Sequence, residues 1–199
     1  EAAGRRHAQA QARLQSLETR ARERVLSQRE TTQPRDPETP LPKPLVSWDF
    51  TQSLIDEMIS LPVQIVGSAE QTPEGLALRG GHARSQPLPE DIGAKSLEVH
   101  LTMSDWDQRG GGVLSLQTLD GGIFDAIVFG EQAARHWIAG SNFFERTQDF
   151  MGPTEADGPQ RALHLVWVYA PDGTILAYRN GMPYGRPYRA SGLQTFRAQ

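Results

Sequence analysis

The groups able to do chemistry in this 199-residue chain are carboxylates, histidines and arginines, because it contains no cysteine. Disulfides, thiolate nucleophiles, zinc ribbons and haem attachment are thereby excluded within these residues. Two close carboxylate pairs stand out: Asp105 and Asp107 around Trp106, and Glu155 and Asp157 around Ala156. A retaining glycosidase needs two carboxyl groups on one face, about 5.5 Å apart. Both pairs lie in stretches bounded by Gly or Pro, where a solvated loop is expected instead. The five histidines (His7, His82, His100, His136, His164) show neither H-x-H nor H-E-x-x-H spacing, so no zinc signature is visible. His164, inside an apolar run, reads as a satisfied buried imidazole. No catalytic residue and no organic cofactor is expected. Asp105, Asp107, Asp120, Asp125 and Asp172 offer the hard oxygens that a loop-rim Ca²⁺ site uses, without any EF-hand-like ligand string, so metal ligation stays open.

Binding chemistry concentrates between Trp106 and Phe150. The segment QRGGG (Gln108–Gly112) puts three glycines after Arg109, a loop whose bare backbone suits close approach to a ligand. The run IFDAIVFGE places Asp125 among Phe124, Ile127 and Phe129, where a lone carboxylate needs a partner such as Arg109 or Arg146. GSNFFERTQ then supplies Ser141, Asn142, Glu145, Arg146 and Gln148 beside two phenylalanines. Flat aromatic faces mixed with directional amide, carboxylate and guanidinium groups are what a sugar site uses. Trp106, Arg109, Asp125, Trp137, Asn142 and Arg146 are therefore the candidate ligand-binding residues. The competing reading is a structural Asp125–Arg ion pair, with Trp106 and Trp137 as core or rim packing.

The elements that must position these groups are short and extended. Strands are expected over Leu45–Phe50, Val63–Val66, Gly75–Arg79, Ser96–Met103, Gly112–Leu119, Phe124–Phe129, His136–Gly140, Ala162–Ala170 and Ile175–Arg179. Asp120-Gly121-Gly122, Pro171-Asp172-Gly173 and Asn180-Gly181 supply the turn chemistry of tight hairpins. In SLEVHLTM, Leu97, Val99, Leu101 and Met103 face one way, and Ser96, Glu98, His100 and Thr102 the other. ALHLVWVYA is apolar on both sides and reads as a central strand. The only helix expected in the body is one or two turns over Ser53–Ile59. The pattern is that of an all-β, two-sheet antiparallel sandwich.

Residues 1–33 differ in kind. Residues 5–30 hold no Gly or Pro and are rich in helix formers, with Ala10, Leu14, Leu17 and Ala21 at 4-3-4 spacing. This predicts a charged helix with a narrow seam, short of the three or four heptads that define a coiled coil, and open to weak self-association. Five prolines in residues 34–44 mark a stiff linker, and the body runs over 45–199. The first 33 residues carry a balance of +3 and the remainder −7, so a polyanion such as nucleic acid is not an expected partner. No apolar run approaches the roughly 18 residues of a membrane span. The chain starts at Glu1 without Met and without a basic-then-apolar leader, as expected of a mature product or a piece of a longer protein.

An ordered set of local texts resembles the laminin-G-like jelly roll of the concanavalin A-like lectin/glucanase superfamily. WDF (Trp48–Phe50) is followed by GLALRGG (Gly75–Gly81), SQPLP (Ser85–Pro89), SLEVHL and GGGVLSLQT. RALHLVWVYAPDGTILAYRNGMPYG (Arg161–Gly185) then looks like the family's closing hairpin. The resemblance covers about residues 45–197 and implies a jelly-roll sandwich with a carbohydrate-binding or interaction role. The E-x-D-x-x-E string of the laminarinase-like members is missing, which argues against a glycoside hydrolase. QRGGGVLSLQTLDGGIFDAIVFGE and AGSNFFERTQDF are also similar to the laminin-G-like domain embedded in large planctomycete multidomain proteins that carry a cytochrome-c-type domain. That likeness implies an exported, periplasmic or cell-surface setting, with a glycan or neighbouring domains of the same polypeptide as partners. A purely structural spacer is the alternative.

Overall fold

The computed structural model describes residue 13, residues 42–156 and residues 158–198. The expected N-terminal helix and most of the proline-rich linker therefore lie outside the described residues; Pro42, Lys43 and Pro44 carry no regular structure. The chain divides into two compact units, Glu1–Ala83 and Arg84–Gln199, a boundary inside the stretch that the sequence reads as one body. Among the described residues of the body the regular elements are strands, apart from a single 3₁₀ turn, and the strands pair antiparallel. No helix among the described residues is long and apolar enough to cross a membrane.

The first unit holds β1 (Val63–Val66) and a hairpin of β2 (Ala69–Thr72) with β3 (Gly75–Leu78). Two expectations fail here. Leu45–Phe50 forms no strand, because Asp49 starts a turn: its side chain accepts from Thr51 N at 2.9 Å and its carbonyl from Gln52 N and Ser53 N. Ser53–Ile59 forms no helix either. Asp56 N donates to Leu61 O at 2.9 Å, and Ile59 N to Asp56 Oδ2 at 2.7 Å, so the side chain and a later carbonyl replace the helical ladder. Ile55 instead bridges Pro62. β2 and β4 (His82–Ser85) are strands the sequence does not reveal, being polar and only four residues each.

The second unit holds two sheets. In one, β9 (Leu163–Tyr169) lies between β5 (Lys95–Leu101) and β10 (Thr174–Arg179). β11 (Met182–Pro183) and β12 (Tyr188–Arg189) pair with opposite ends of β10. The other sheet runs β6 (Gly111–Gln117), β7 (Phe124–Phe129), β8 (Trp137–Ser141), with a bulge between Gly112 and Leu114. The β10–β11 turn needs its sequence: Asn180 and Gly181 take φ 52° and 75°, the doubly left-handed geometry that suits a two-residue hairpin.

One core joins the two sheets. Leu163, Leu165, Trp167, Tyr169, Ile175 and Ala177 from one pack with Ile127, Phe129, Trp137 and Ala139 from the other. Burial of each Leu, Ile or Phe contributes roughly 1.5–3 kcal/mol. Trp167 Nε1 donates across the layers to Ile138 O at 3.1 Å, satisfying its one polar atom. The alternation expected for Leu97, Val99 and Leu101 against Glu98 and His100 is present in β5. β7 and β8 are buried on both faces, Ala126, Val128 and Ile138 forming a second small cluster behind the main core.

Candidate functional site

β7 carries Asp125 into the interior, where the side chain is completely buried. Two cations meet it. Arg146 Nε donates to Oδ1 at 2.9 Å, and Lys95 Nζ lies 2.7 Å from Oδ2. A buried carboxylate persists only with such partners. Lys95 stacks over the rings of Tyr169 and Phe196, 4.5 and 5.0 Å from their centroids. Burial pulls the Lys95 ammonium below its ordinary pKa, and the hydrogen bond to Asp125 opposes that pull. Burial, then the charge of Asp125, pushes Tyr169 well above the usual phenol range.

Arg146 is the hub of a loop. Its Nη2 donates to Phe124 O at 2.8 Å and to Asn142 Oδ1 at 2.9 Å, and its backbone N to Ser141 Oγ at 2.9 Å. Thr147 Oγ1, 3.0 Å from Ser141 Oγ, donates to Ala139 O at 2.7 Å. Asn142 Nδ2 holds Glu145 Oε2 at 2.9 Å, and Tyr188 and Ser191 hydroxyls donate to the carbonyls of Arg146 and Glu145, both at 3.1 Å. Clamped from beneath in this way, Phe143 and Phe144 take left-handed φ of 49° and 56°. Such conformations cost a bulky residue on the order of 1–3 kcal/mol. Phe143 nevertheless points outward and is 90% exposed.

Of the six residues singled out from sequence, Asp125, Asn142 and Arg146 come together. Trp106 and Trp137 are buried core residues on either side of Phe129, with ring centroids 5.6 and 4.7 Å from it. Arg109 is exposed in the loop before β6. That loop crosses Gly130 so closely that a Cβ there would lie 2.5 Å from Gln108 O. Trp137 leads to a second buried carboxylate: its Nε1 donates to Glu155 Oε1 at 2.8 Å. Arg179 completes a two-pronged pair with Glu155, at 2.7 Å through Nε and 2.6 Å through Nη2. Glu155 was expected to be loop-solvated and is instead sealed, because the aligned Arg179 and the Trp137 indole replace its water. Tyr184 sits above, accepting from Trp137 N at 3.1 Å and donating to Pro153 O at 3.0 Å.

The rim aspartates serve local turns. Asp105 accepts from Asp107 N, Asp120 from Gly122 N and Asp172 from Thr174 N, while Asp107 faces Arg135 at 3.3 Å. Among the described residues, the group of three or more histidines and carboxylates whose ligand atoms converge is another one, Glu98, His100 and His164. His164 is partly exposed and not the buried imidazole expected, because it stands on the β9 face turned away from the core. Its Nε2 lies 2.7 Å from Glu98 Oε1, and its ring stacks on His100 at 4.2 Å with parallel planes. Sequence spacing could not show this cluster. The signal was the register, which sets His100 directly opposite His164.

No protein-family model, no curated protein and no solved structure matches this chain.

Proposed function

We propose that the second unit is a non-catalytic recognition module that holds a glycan against the loop of residues 142–146. The observation that carries this reading is the outward Phe143 ring, kept in a strained backbone by a buried ionic network. Neither core packing nor chain reversal calls for a large aromatic side chain at that position. An aromatic plane beside the half-exposed carboxylate of Glu145 offers a sugar one apolar face and one directional acceptor. Asp125, Asn142 and Arg146 act as positioning residues beneath the loop, while Phe143, Phe144 and Glu145 make the contact.

Two further lines support the reading. The two sheets packed over one aromatic-rich core fit the jelly-roll sandwich that the laminin-G-like resemblance implies. The two deeply buried carboxylates of the second unit, Asp125 and Glu155, are committed to cations, an arrangement suited to scaffolding and not to acid–base work. The setting proposed with this role is exported, periplasmic or cell-surface, within a multidomain polypeptide.

The test is affinity electrophoresis of the chain through gels containing plant and algal polysaccharides. At least one polysaccharide should retard the wild type, and Phe143→Ala should abolish that retardation while leaving the thermal midpoint unchanged. Retardation by none would favour a spacer role. Retardation that survives Phe143→Ala combined with Phe144→Ala would place recognition elsewhere on the unit.

A further inference from the structure

We infer that Glu98, His100 and His164 form a binding site for a divalent transition ion of the zinc class, on the face of β5 and β9 turned away from the core. The three arise from one geometric fact. Glu98 and His100 are two residues apart on β5 and share a face, and the antiparallel register places His164 of β9 beside His100. Their ligand atoms all lie within 4.8 Å of one another. Glu98 Oε1 is 2.7 Å from His164 Nε2 and 4.0 Å from His100 Nε2. A tetrahedral ion with metal–ligand bonds of about 2.0–2.1 Å needs its ligands roughly 3.3 Å apart, midway between those two distances. A small tilt of the stacked rings and a change of Glu98 rotamer meet that requirement, with no movement of the strands.

The backbone under the site is fixed. Asn180 holds His164 on both sides, its Oδ1 accepting from His164 N at 2.9 Å and its N donating to His164 O at 2.7 Å. The donor set also selects the ion. Two imidazoles and one carboxylate suit zinc, copper or nickel, whereas calcium and magnesium want oxygen throughout. His100 and Glu98 side chains are 74% and 58% exposed, so a bound ion has a path from solvent and keeps at least one outward coordination position. When the ion binds at Nε2 it replaces the hydrogen bond between His164 and Glu98: a neutral ring moves its Nε2 proton to Nδ1, and any second ring proton is released to solvent.

The experiment is calorimetric titration of the full chain with ZnCl₂, paired with the visible absorption of the Co²⁺ form. One equivalent should bind, and Co²⁺ should show the intense bands of a low-coordinate N/O site. His100→Ala, whose side chain is exposed and so leaves the fold intact, should weaken Zn²⁺ binding more than about tenfold, as should His164→Ala and Glu98→Gln. Replacing His136 by Ala should leave the affinity within about twofold, since it does not belong to the cluster. Absence of one-to-one binding, or full-strength binding by His100→Ala and His164→Ala, would overturn the inference. Both readouts are independent of any polysaccharide.

Discussion

Asp125 and Glu155 are both buried carboxylates in the second unit, yet they are neutralised differently. Glu155 meets one guanidinium in a two-pronged pair and one indole N–H, and its partners Trp137 and Arg179 belong to strands β8 and β10. It ties the two sheets together. Asp125 is held between Lys95 of β5 and Arg146, which lies outside any strand. Its charge therefore fastens a loop to the sheets, and that loop carries the strained, outward Phe143. The first arrangement closes the frame and the second supports a display. Buried charge is a poor source of net stability, so its use beneath a loop marks that loop as the feature being held in place.

The two carboxylates should differ most when Asp125 is removed. Asp125→Ala leaves two buried cations without an anion and should lower the unfolding free energy by about 3–5 kcal/mol, measured by urea denaturation. A loss below about 1 kcal/mol would mean that water reaches the pair. Glu155→Gln should cost less, roughly 2 kcal/mol, because Arg179 is partly exposed and can turn its charge to solvent. Equal losses for the two variants would erase the distinction drawn between them. A third and gentler perturbation is alkaline titration. Tyr184, beside Glu155, and Tyr188, beside Arg146, are each pushed up to about 12, chiefly by burial. Each keeps its proton more tightly in the fold than in the unfolded chain, whose phenols titrate near 10. Stability is therefore complete below pH 10 and is lost as pH climbs towards 12. Melts at pH 9, 10 and 11 should show a falling midpoint, and a midpoint that rises would reverse the sign argued here.

Much of this was legible from residue order alone. β1 and β7 begin and end where the apolar runs do, and Asn180-Gly181 makes the turn that its φ values demand. A cation for Asp125 could be expected, Arg109 or Arg146, because a lone carboxylate in an apolar strand requires one; the fold selects Arg146 and leaves Arg109 exposed. Lys95 as the second cation could not be read, since nothing local to Lys95 reports that β5 and β7 stack in the same core. Glu155 was misread for the same reason: Gly and Pro around it indicate a loop but not what covers that loop. Glu98, His100 and His164 were the least visible, because sites built across strands depend on register, which no spacing within one segment encodes.

Glycan recognition by the 142–146 loop is tested without intermediaries by an amide NMR titration with an oligosaccharide cut from whichever polysaccharide retards the chain. Shifts should concentrate on residues 141–148, with Asp125 and Lys95 responding weakly from beneath. Shifts confined to strands away from that loop, with Phe143 unmoved at saturation, would contradict it.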